Sequence, residues 1–432
     1  MNAVASRTAA LTLWLVALAG AGTGAHAQPT APDASDTARG EYLARIGGCA
    51  SCHTEPRHGK AFAGGRAVPS PFGVIYSTNI TPDVEHGIGK YSFEDFRRVM
   101  REGTAPGDRH LYPAMPYASY AKAHEDDLRD LFAYLRRGVQ AVPADPPPTR
   151  LPFPLDQRAL LRFWKLVFLP RCAYEDKAGQ SADWNRGAYL VQSFGHCGAC
   201  HTPRGLAYQE KGYDESASRF LTGQVNDLWF ALDLTGDPGA GLGRVPAPAL
   251  ASLIATGHGG GFVASGTMVQ EIEESLQYLN EDDVRAVARY LKSLPAQRGE
   301  GRYEARAETP RPRAQGNHTG DVETIGAAVY RSFCAQCHQA DGGGVAGAFP
   351  RLAGNPSLLG EDASSLIRLA LEGGRSAATR QGPPPQSMPS FAATLTDVQI
   401  AQVLTFTRES WGNDAKPVTT DDVAKVRKAL HR

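Results

Sequence analysis

Three copies of the pentapeptide Cys-x-x-Cys-His constrain this 432-residue chain more than any other feature of its sequence. In each copy, two thiols separated by two residues are followed directly by an imidazole. This spacing suits covalent attachment of haem, because each thiol can add to one vinyl group while the imidazole binds the iron. The motifs therefore predict three covalently bound haem c groups. Their residues are Cys49, Cys52 and His53; Cys197, Cys200 and His201; and Cys334, Cys337 and His338.

Zinc sites and redox-active disulfides also use paired cysteines. A structural zinc site usually needs two Cys pairs close together, whereas the three pairs here are far apart in the chain. A redox-active Cys-x-x-Cys pair explains the thiols but leaves the His after every pair unexplained. Haem attachment accounts for both the thiols and the imidazoles, so we favour it over these alternatives.

The sequence around the motifs repeats as well. A short helical pattern with a Gly precedes each motif, at 39–43, 186–190 and 326–330, and an amphipathic helix with a late aromatic closes each copy, at 125–135, 281–291 and 396–410. A Gly on one helix lets an aromatic of another approach its backbone, so we expect the two helices to cross there. The residues concerned are Gly40 and Tyr134, Gly187 and Tyr290, and Gly326 and Phe406.

A middle helix repeats too, because residues 87–103 align with 241–257, and residues 363–374 hold the corresponding place in a shorter third copy. We predict a mostly α protein with three tandem cytochrome c-type haem domains joined by linkers. The predicted boundaries are a signal peptide at 1–27, domain 1 at 36–140, a linker with an apolar basic helix at 141–179, domain 2 at 180–295, a linker at 296–319, domain 3 at 320–412 and a C-terminal tail at 413–432.

Five Met residues limit the choice of a sixth iron ligand, and a Met thioether raises the potential of a haem relative to a second His. Met1 belongs to the signal peptide, and Met100 lies in the predicted middle helix, where a core role is expected. Met115, Met268 and Met388 fall one per domain, between the middle and the last helix. We predict these three as axial ligands, with core packing as the alternative.

The N-terminus and the charge balance bear on location and partners. An apolar run at 9–21 is too short to span a bilayer and leads to Ala25-His26-Ala27, a pattern typical of a cleaved signal peptide. We therefore expect a periplasmic protein. Lys plus Arg equals Asp plus Glu at 45 each, so no excess positive charge favours nucleic acid as a partner.

The first linker contains a basic, apolar helical segment at 159–169, with Arg162 and Lys165 among apolar residues. Two roles remain open: packing between the first two domains, or contact with a membrane or partner. Cys172 is the odd cysteine, either an unreactive free thiol or a link to a partner. We also expect the Pro350 carbonyl to accept the Nδ1 proton of His338, because a metal-bound His usually has such a partner.

The chain resembles the tri-haem cytochrome c subunits of membrane-bound bacterial dehydrogenases, a family that serves alcohol, gluconate, sorbitol, fructose and FAD-dependent glucose dehydrogenases. The segments that carry this resemblance are 71–83, 112–120, 184–190, 275–279 and 410–413.

This resemblance implies an electron-transfer subunit without catalytic residues, located at the outer face of the cytoplasmic membrane. It would receive electrons from a catalytic subunit with flavin or PQQ, alongside a small third subunit as a further candidate, and pass them to ubiquinone. A molybdenum hydroxylase as partner, or a peroxidase-like enzyme with one open haem site, are the alternatives.

Overall fold

The computed structural model describes residues 34–305 and 324–431, so the predicted signal peptide and most of the second linker lie outside it. The described residues from 35 onward pack into one compact unit. We refer to residues 36–140, 180–295 and 320–412 as the first, second and third repeats.

Helices dominate this unit, in agreement with the mostly α prediction. The α-helices of the described residues are α1 (Ala34–Ile46), α2 (Cys49–His53), α3 (Phe93–Glu102), α4 (Tyr117–Tyr120), α5 (Glu125–Arg137), α6 (Leu161–Phe168), α7 (Ala182–Gln192), α8 (Gly198–His201), α9 (Ala247–Thr256), α10 (Thr267–Glu274), α11 (Glu281–Ser293), α12 (Ile325–Phe333), α13 (Ala335–His338), α14 (Pro356–Leu359), α15 (Ser364–Glu372), α16 (Asp397–Glu409) and α17 (Thr420–Leu430). Short 3-10 helices occur at Arg158–Leu160 and Leu276–Tyr278.

The strands of the described residues form only two-stranded antiparallel pairs. They are β1 (Ala67–Ser70), β2 (Gly73–Tyr76), β3 (Thr104–Ala105), β4 (Arg109–His110), β5 (Thr222–Asn226), β6 (Trp229–Asp233), β7 (His258–Gly259), β8 (Phe262–Val263), β9 (Arg302–Tyr303), β10 (Gly374–Arg375), β11 (Ser387–Met388) and β12 (Asn413–Asp414). Successive strands pair with each other, except that β9 pairs with β12 across the third repeat.

In every repeat the first helix crosses the last helix at a glycine. The crossing pairs are α1 with α5, α7 with α11, and α12 with α16. A Cβ atom placed on each glycine would lie inside normal contact distance of the facing aromatic Cβ, at 2.7 Å (Gly40 to Tyr134), 2.9 Å (Gly187 to Tyr290) and 3.0 Å (Gly326 to Phe406). The structure confirms the three predicted crossings, which only glycine permits.

A glycine also ends the middle helix of each repeat and leads directly into a hairpin. Gly103 after α3, Gly257 after α9 and Gly373 after α15 have φ angles of 58°, 78° and 74°. These angles lie in the left-handed region, which favours glycine because it has no Cβ. The first strand of a hairpin (β3–β4, β7–β8 or β10–β11) follows each glycine at once, so a glycine with positive φ separates the middle helix from a hairpin in all three repeats.

The first two repeats share a hydrophobic core. Leu43 and Leu131 of the first repeat belong to the same buried cluster as Leu190 and Val287 of the second. The third repeat has its own cluster, which includes Ile400. The first two repeats therefore form one packed body, and the third joins it partly through a small buried cluster of Val269, Ile272 and Ala377.

The third repeat extends past its predicted end at 412. Helix α17 packs against α15 and α16 and buries Val423 and Val426 in the core of this repeat. Strand β12 pairs with β9, which lies at the start of the predicted second linker. Residues 298–300, just beyond the predicted boundary at 295, contact Thr222, Asp237 and Ala240 of the second repeat, whereas residues 302–303 pair with β12 beyond the predicted end at 412.

Helix α6 lies between the first two repeats, as one of the two predicted roles of the linker segment requires. Trp164 Nε1 donates to the Ala207 carbonyl of the second repeat at 2.8 Å, and Lys165 Nζ donates to the Glu102 carbonyl of the first at 2.8 Å. No helix in the described part of the chain is both long and apolar enough to cross a bilayer.

Candidate haem-binding sites

The three Cys-x-x-Cys-His motifs form the short helices that follow the first helix of each repeat. Helix α2 carries the first motif, α8 the second and α13 the third. Within one helical turn, residues i, i+3 and i+4 share a face, so both thiols and the imidazole of a motif project to the same side. This is the placement that attachment and ligation of one haem need.

Each motif imidazole donates its Nδ1 proton to a backbone carbonyl. The acceptors are Thr78 for His53 at 2.6 Å, Leu232 for His201 at 2.7 Å, and Pro350 for His338 at 2.9 Å. The predicted role of the Pro350 carbonyl is confirmed. With the proton fixed on Nδ1, the lone pair of Nε2 remains available for iron in all three motifs.

The surroundings of the motifs keep the imidazoles neutral and the thiols protonated. Burial lowers the pKa of His53, His201 and His338, although the carbonyl partner of each opposes this shift. Burial raises the pKa of the Cys49 thiol to about 12 and that of Cys334 to about 11. A redox-active Cys pair requires the opposite shift. The motifs therefore fit haem attachment better than thiolate chemistry.

Glu271 on α10 lies between the first and second motifs. Its Oε1 atom is 3.9 Å from the position that a Cβ on Gly48 would take, and α10 packs against α2. Together with burial, which has the larger effect, the Glu271 carboxylate raises the pKa of the Cys52 thiol in the first motif and of Cys197 and Cys200 in the second. One carboxylate thus acts on both motifs, which places them side by side.

The turns that precede these two motifs also meet. The Gly47 carbonyl accepts a hydrogen bond from the Tyr120 hydroxyl at 3.0 Å, and His196 Nε2 of the second repeat lies 3.4 Å from the same oxygen. Ser275, at the end of α10, donates its hydroxyl to the Ile46 carbonyl at 3.0 Å. Contacts from both repeats therefore fix the backbone on which the first motif begins.

Two matching clusters of Arg, Asp and Tyr join the first two repeats. In each cluster, an Asp at the start of the last helix pairs with an Arg of its own repeat and accepts a hydrogen bond from a Tyr of the other repeat. The clusters are Arg39–Asp127–Tyr189 and Arg186–Asp283–Tyr42. Their reciprocity relates the repeats by an approximate two-fold axis and thereby fixes how the two motifs face each other.

Asp283→Asn should destabilise the protein in a pH-dependent way. Burial alone would raise the pKa of Asp283, but hydrogen bonds from Arg186 and Tyr42 and the Arg186 charge hold it below its usual value. A lowered folded-state pKa stabilises the fold above the unfolded Asp pKa of about 3.9, and the stabilisation is lost as pH falls through the folded value. We expect a loss of about 1–3 kcal/mol in unfolding free energy at pH 7.

Urea unfolding of the haem-loaded protein at pH 7 and about pH 3 tests this, because the difference in unfolding free energy between the variant and the unaltered protein should narrow at the lower pH. Asp282→Asn is the matched control, since the Asp282 side chain is 88% exposed and pairs with the exposed Arg285. The control should change the unfolding free energy by about 0.5 kcal/mol or less. An equal effect of both substitutions at pH 7 would contradict the assigned role of Asp283.

The three candidate Met ligands occupy related positions in the repeats. Met115 lies in the irregular segment between β4 and α4, Met268 in the first turn of α10 after β8, and Met388 in β11 opposite Gly374. All three are half-buried. Only Met115 lies in an irregular segment, whereas Met268 is helical and Met388 lies in a strand. Met100 is 4% exposed within the first core, which confirms its predicted packing role.

Backbone contacts attach the third repeat to the second. The Arg351 amide donates to the Gly261 carbonyl, at the turn of the hairpin β7–β8, at 2.8 Å. Arg375 forms an ion pair with Glu273 on α10, and Phe230 donates its amide to the Ser365 hydroxyl at 2.6 Å. Arg351 directly follows the residue whose carbonyl orients His338. The third motif is therefore held by the same hairpin that leads to Met268.

Comparison with known proteins identifies the kind of molecule to which these sites belong. The family model for cytochrome c matches residues 324–411. The gluconate 2-dehydrogenase cytochrome c subunit of Pantoea cypripedii is 42% identical over 396 residues, which cover 90% of this chain and 89% of that protein. The chain belongs to the family of dehydrogenase cytochrome c subunits. It binds haem c covalently and is an electron-transfer subunit rather than a catalytic one.

Two further relatives agree with this assignment. The cytochrome c subunit of alcohol dehydrogenase (quinone) from Gluconacetobacter polyoxogenes is 40% identical, with 94% of this chain and 87% of the relative covered. The fructose dehydrogenase cytochrome subunit of Gluconobacter japonicus is 38% identical, with 98% and 89% covered.

Arg66 and Arg351, whose side chains could pair with haem propionates, contact protein groups in this cytochrome. Arg66 donates to the Ser51 carbonyl of the first motif at 2.7 Å and to Gln270 Oε1 on α10 at 3.1 Å. Arg351 Nε donates to the Ala353 carbonyl at 2.9 Å. Cys172 is exposed and unpaired within the described chain, so both of its predicted roles stay open.

The sequence interpretation missed residues that position the cytochrome motifs. Thr78 and Leu232 orient two imidazoles through main-chain oxygens, and a main-chain contact does not depend on the type of residue that makes it. A signal did exist, because these two residues are related by the same offset as Gly87 and Gly241. Glu271 had no comparable signal, since one acidic residue on a charged helix resembles an ordinary solvated side chain.

Proposed function

We propose that the protein carries three haem c groups, with the axial ligand pairs His53 and Met115, His201 and Met268, and His338 and Met388. It would relay electrons from a catalytic dehydrogenase subunit of flavin or PQQ type to ubiquinone or another respiratory acceptor. Bound haem supplies the one-electron iron couple, while the chain supplies attachment, ligands, burial and placement.

The observation that carries this proposal is the threefold recurrence of one construction. Every repeat has a glycine helix crossing, a Cys-x-x-Cys-His turn whose imidazole donates to a carbonyl, and a left-handed glycine that leads into a hairpin with a Met in it or after it. The family match lies in the third repeat, and the first two repeats share its construction. This equivalence supports a haem in each repeat.

The packing supports a relay rather than three independent carriers. The first two motifs lie on either side of Glu271, and the segment that orients His338 is bound to Gly261 of the second repeat. Electron transfer between cofactors is favoured by short, fixed distances, and the described residues from 35 onward pack into one compact unit, which supports this proposal.

The cellular setting of the proposal rests on the sequence and on the relatives. A cleaved signal peptide at 1–27 would deliver the chain to the periplasm, where it would contact the outer face of the cytoplasmic membrane peripherally. The relatives are named as subunits of gluconate, alcohol and fructose dehydrogenases, which supports a catalytic dehydrogenase subunit as partner. A small third subunit is a further candidate.

Intact-mass spectrometry tests the haem number. The mature chain should begin at Gln28 and carry three haems, and the double variant Cys334→Ala with Cys337→Ala should carry two. Cys172→Ala is the matched control and should retain three, because Cys172 lies outside the motifs. A native chain with fewer haems, or a double variant that keeps all three, would overturn the proposal.

Purification of the tagged protein from native membranes tests the partner. We expect a flavin- or PQQ-containing dehydrogenase subunit to co-purify and to reduce the haems when its substrate is added. A molybdenum hydroxylase in its place would establish the alternative partner. Oxidation of a substrate by the isolated cytochrome alone would overturn the assignment as an electron-transfer subunit.

A further inference from the structure

A set of large apolar side chains is exposed on the outer side of the first linker. We call this set the linker surface. Its members are Phe153 (81% exposed), Leu155 (41%), Leu160 (51%), Phe163 (63%), Leu166 (65%) and Val167 (70%). Six large apolar residues exposed within fifteen positions of the chain point to a contact site, because exposed apolar residues in soluble proteins are mostly scattered.

The linker surface is held rigidly by the protein beneath it. Lys165, only 8% exposed, points inward and donates to the carbonyls of Glu102 and Gly103. The Tyr112 hydroxyl donates to the Leu155 carbonyl at 2.9 Å. Since the inward face of α6 is already filled, its apolar residues cannot turn into the core.

The exposed residues of the helical part share one face. Leu160, Phe163, Leu166 and Val167 follow the three- and four-residue spacing of a helix, and the eight-residue α6 is ~12 Å long. A bilayer has a hydrocarbon core of about 30 Å. The segment can therefore lie in a membrane interface but cannot cross it.

Exposed basic residues flank and interleave with these apolar residues in the sequence. Arg150, Arg162 and Arg171 are exposed, and no carboxylate of the described residues forms an ion pair with any of them. Asp156 is the single acidic residue between 150 and 172, although the whole chain has equal numbers of acidic and basic residues. An exposed apolar helix face accompanied by exposed arginines that no carboxylate neutralises is complementary to anionic lipid headgroups.

We propose that the linker surface docks the protein on an anionic phospholipid bilayer. Its apolar side chains enter the headgroup region, and the three arginines pair with lipid phosphates. This inference rests on the proposed function, which places the cytochrome at the cytoplasmic membrane. It adds the surface and the lipid chemistry responsible for that contact.

Co-sedimentation of the haem-loaded full chain with vesicles tests the docking surface. The protein should bind vesicles of phosphatidylcholine mixed equally with phosphatidylglycerol, and bind pure phosphatidylcholine less. The triple variant Phe163→Ser, Leu166→Ser, Val167→Ser should lower the binding constant about tenfold or more. The variant Arg150→Gln, Arg162→Gln, Arg171→Gln should lose the preference for phosphatidylglycerol.

Ile325→Ser with Val398→Ser is the matched control, because these residues are similarly exposed, at 53% and 47%, but lie in the third repeat. The control should bind vesicles like the unaltered protein. Equal binding by the triple variant and the control would overturn the inference. It would also be overturned if the triple variant kept its lipid binding but lost a co-purifying subunit or dissociated a dimer. Haem content and reduction by dithionite, measured on the same samples, test the proposed function separately.

Discussion

The Met388→Ala variant should bind carbon monoxide at about one third of its haem, whereas the unaltered protein should bind none rapidly. Loss of the thioether opens one of three irons, and the other two keep their ligands. The potential of that haem should fall, because a Met thioether raises it. Visible spectra of the reduced protein with carbon monoxide, together with spectroelectrochemistry, measure both effects.

Met100→Leu is the matched control for this experiment. Met100 is buried in the first core, and Leu conserves its volume, so neither carbon monoxide binding nor any potential should change. Met115→Ala and Met268→Ala should each open a different iron. Rapid carbon monoxide binding by the unaltered protein would instead favour the peroxidase-like alternative. An unchanged spectrum of Met388→Ala would exclude Met388 as a ligand.

The sequence could predict those features of this cytochrome that depend on the type of residue at positions close together in the chain or repeated along it. Gly187 and Tyr290 recur with their counterparts at the same places in every repeat, so the helix crossing could be read from the repetition alone. The three Met residues could be placed between two helices for the same reason. Their local structure could not, because a lone Met such as Met268 fits a loop and a helix equally well.

Contacts between repeats could not be predicted from the sequence, for a different reason. Asp127 and Asp283 begin helices, where the dipole alone explains an acidic residue, so their pairing with a Tyr of the other repeat had no separate signal. The third repeat is attached partly through the main-chain oxygen of Gly261. A carbonyl exists at every position, and its use as an acceptor leaves no trace in residue type.

The Gly187→Ala variant should lose stability even though alanine favours helices. In a helix interior, alanine is more favourable than glycine by about 1 kcal/mol of folding free energy. Overpacking of a buried site usually costs about 1–3 kcal/mol of stability and sometimes more. The added Cβ would press on the Ala286 carbonyl of α11 and lie 2.9 Å from Tyr290 Cβ. Both atoms lie on or next to the backbone of a buried helix, which cannot move away as a flexible side chain could. The cost of overpacking should therefore exceed the gain in helix propensity.

We expect a net loss of about 1–2 kcal/mol in unfolding free energy for Gly187→Ala, and a larger loss with poor haem incorporation for Gly187→Val. Gly343→Ala is the matched control, because the nearest atom to its Cβ would be a flexible Asp341 carboxylate oxygen. Equal stability of the two Ala variants would mean that α7 and α11 can separate freely. The Asp283 cluster joins Arg186 of α7 to Asp283 of α11, so it depends on the close packing of these two helices. If the helices could separate freely, this cluster would not be what fixes the second motif relative to the first.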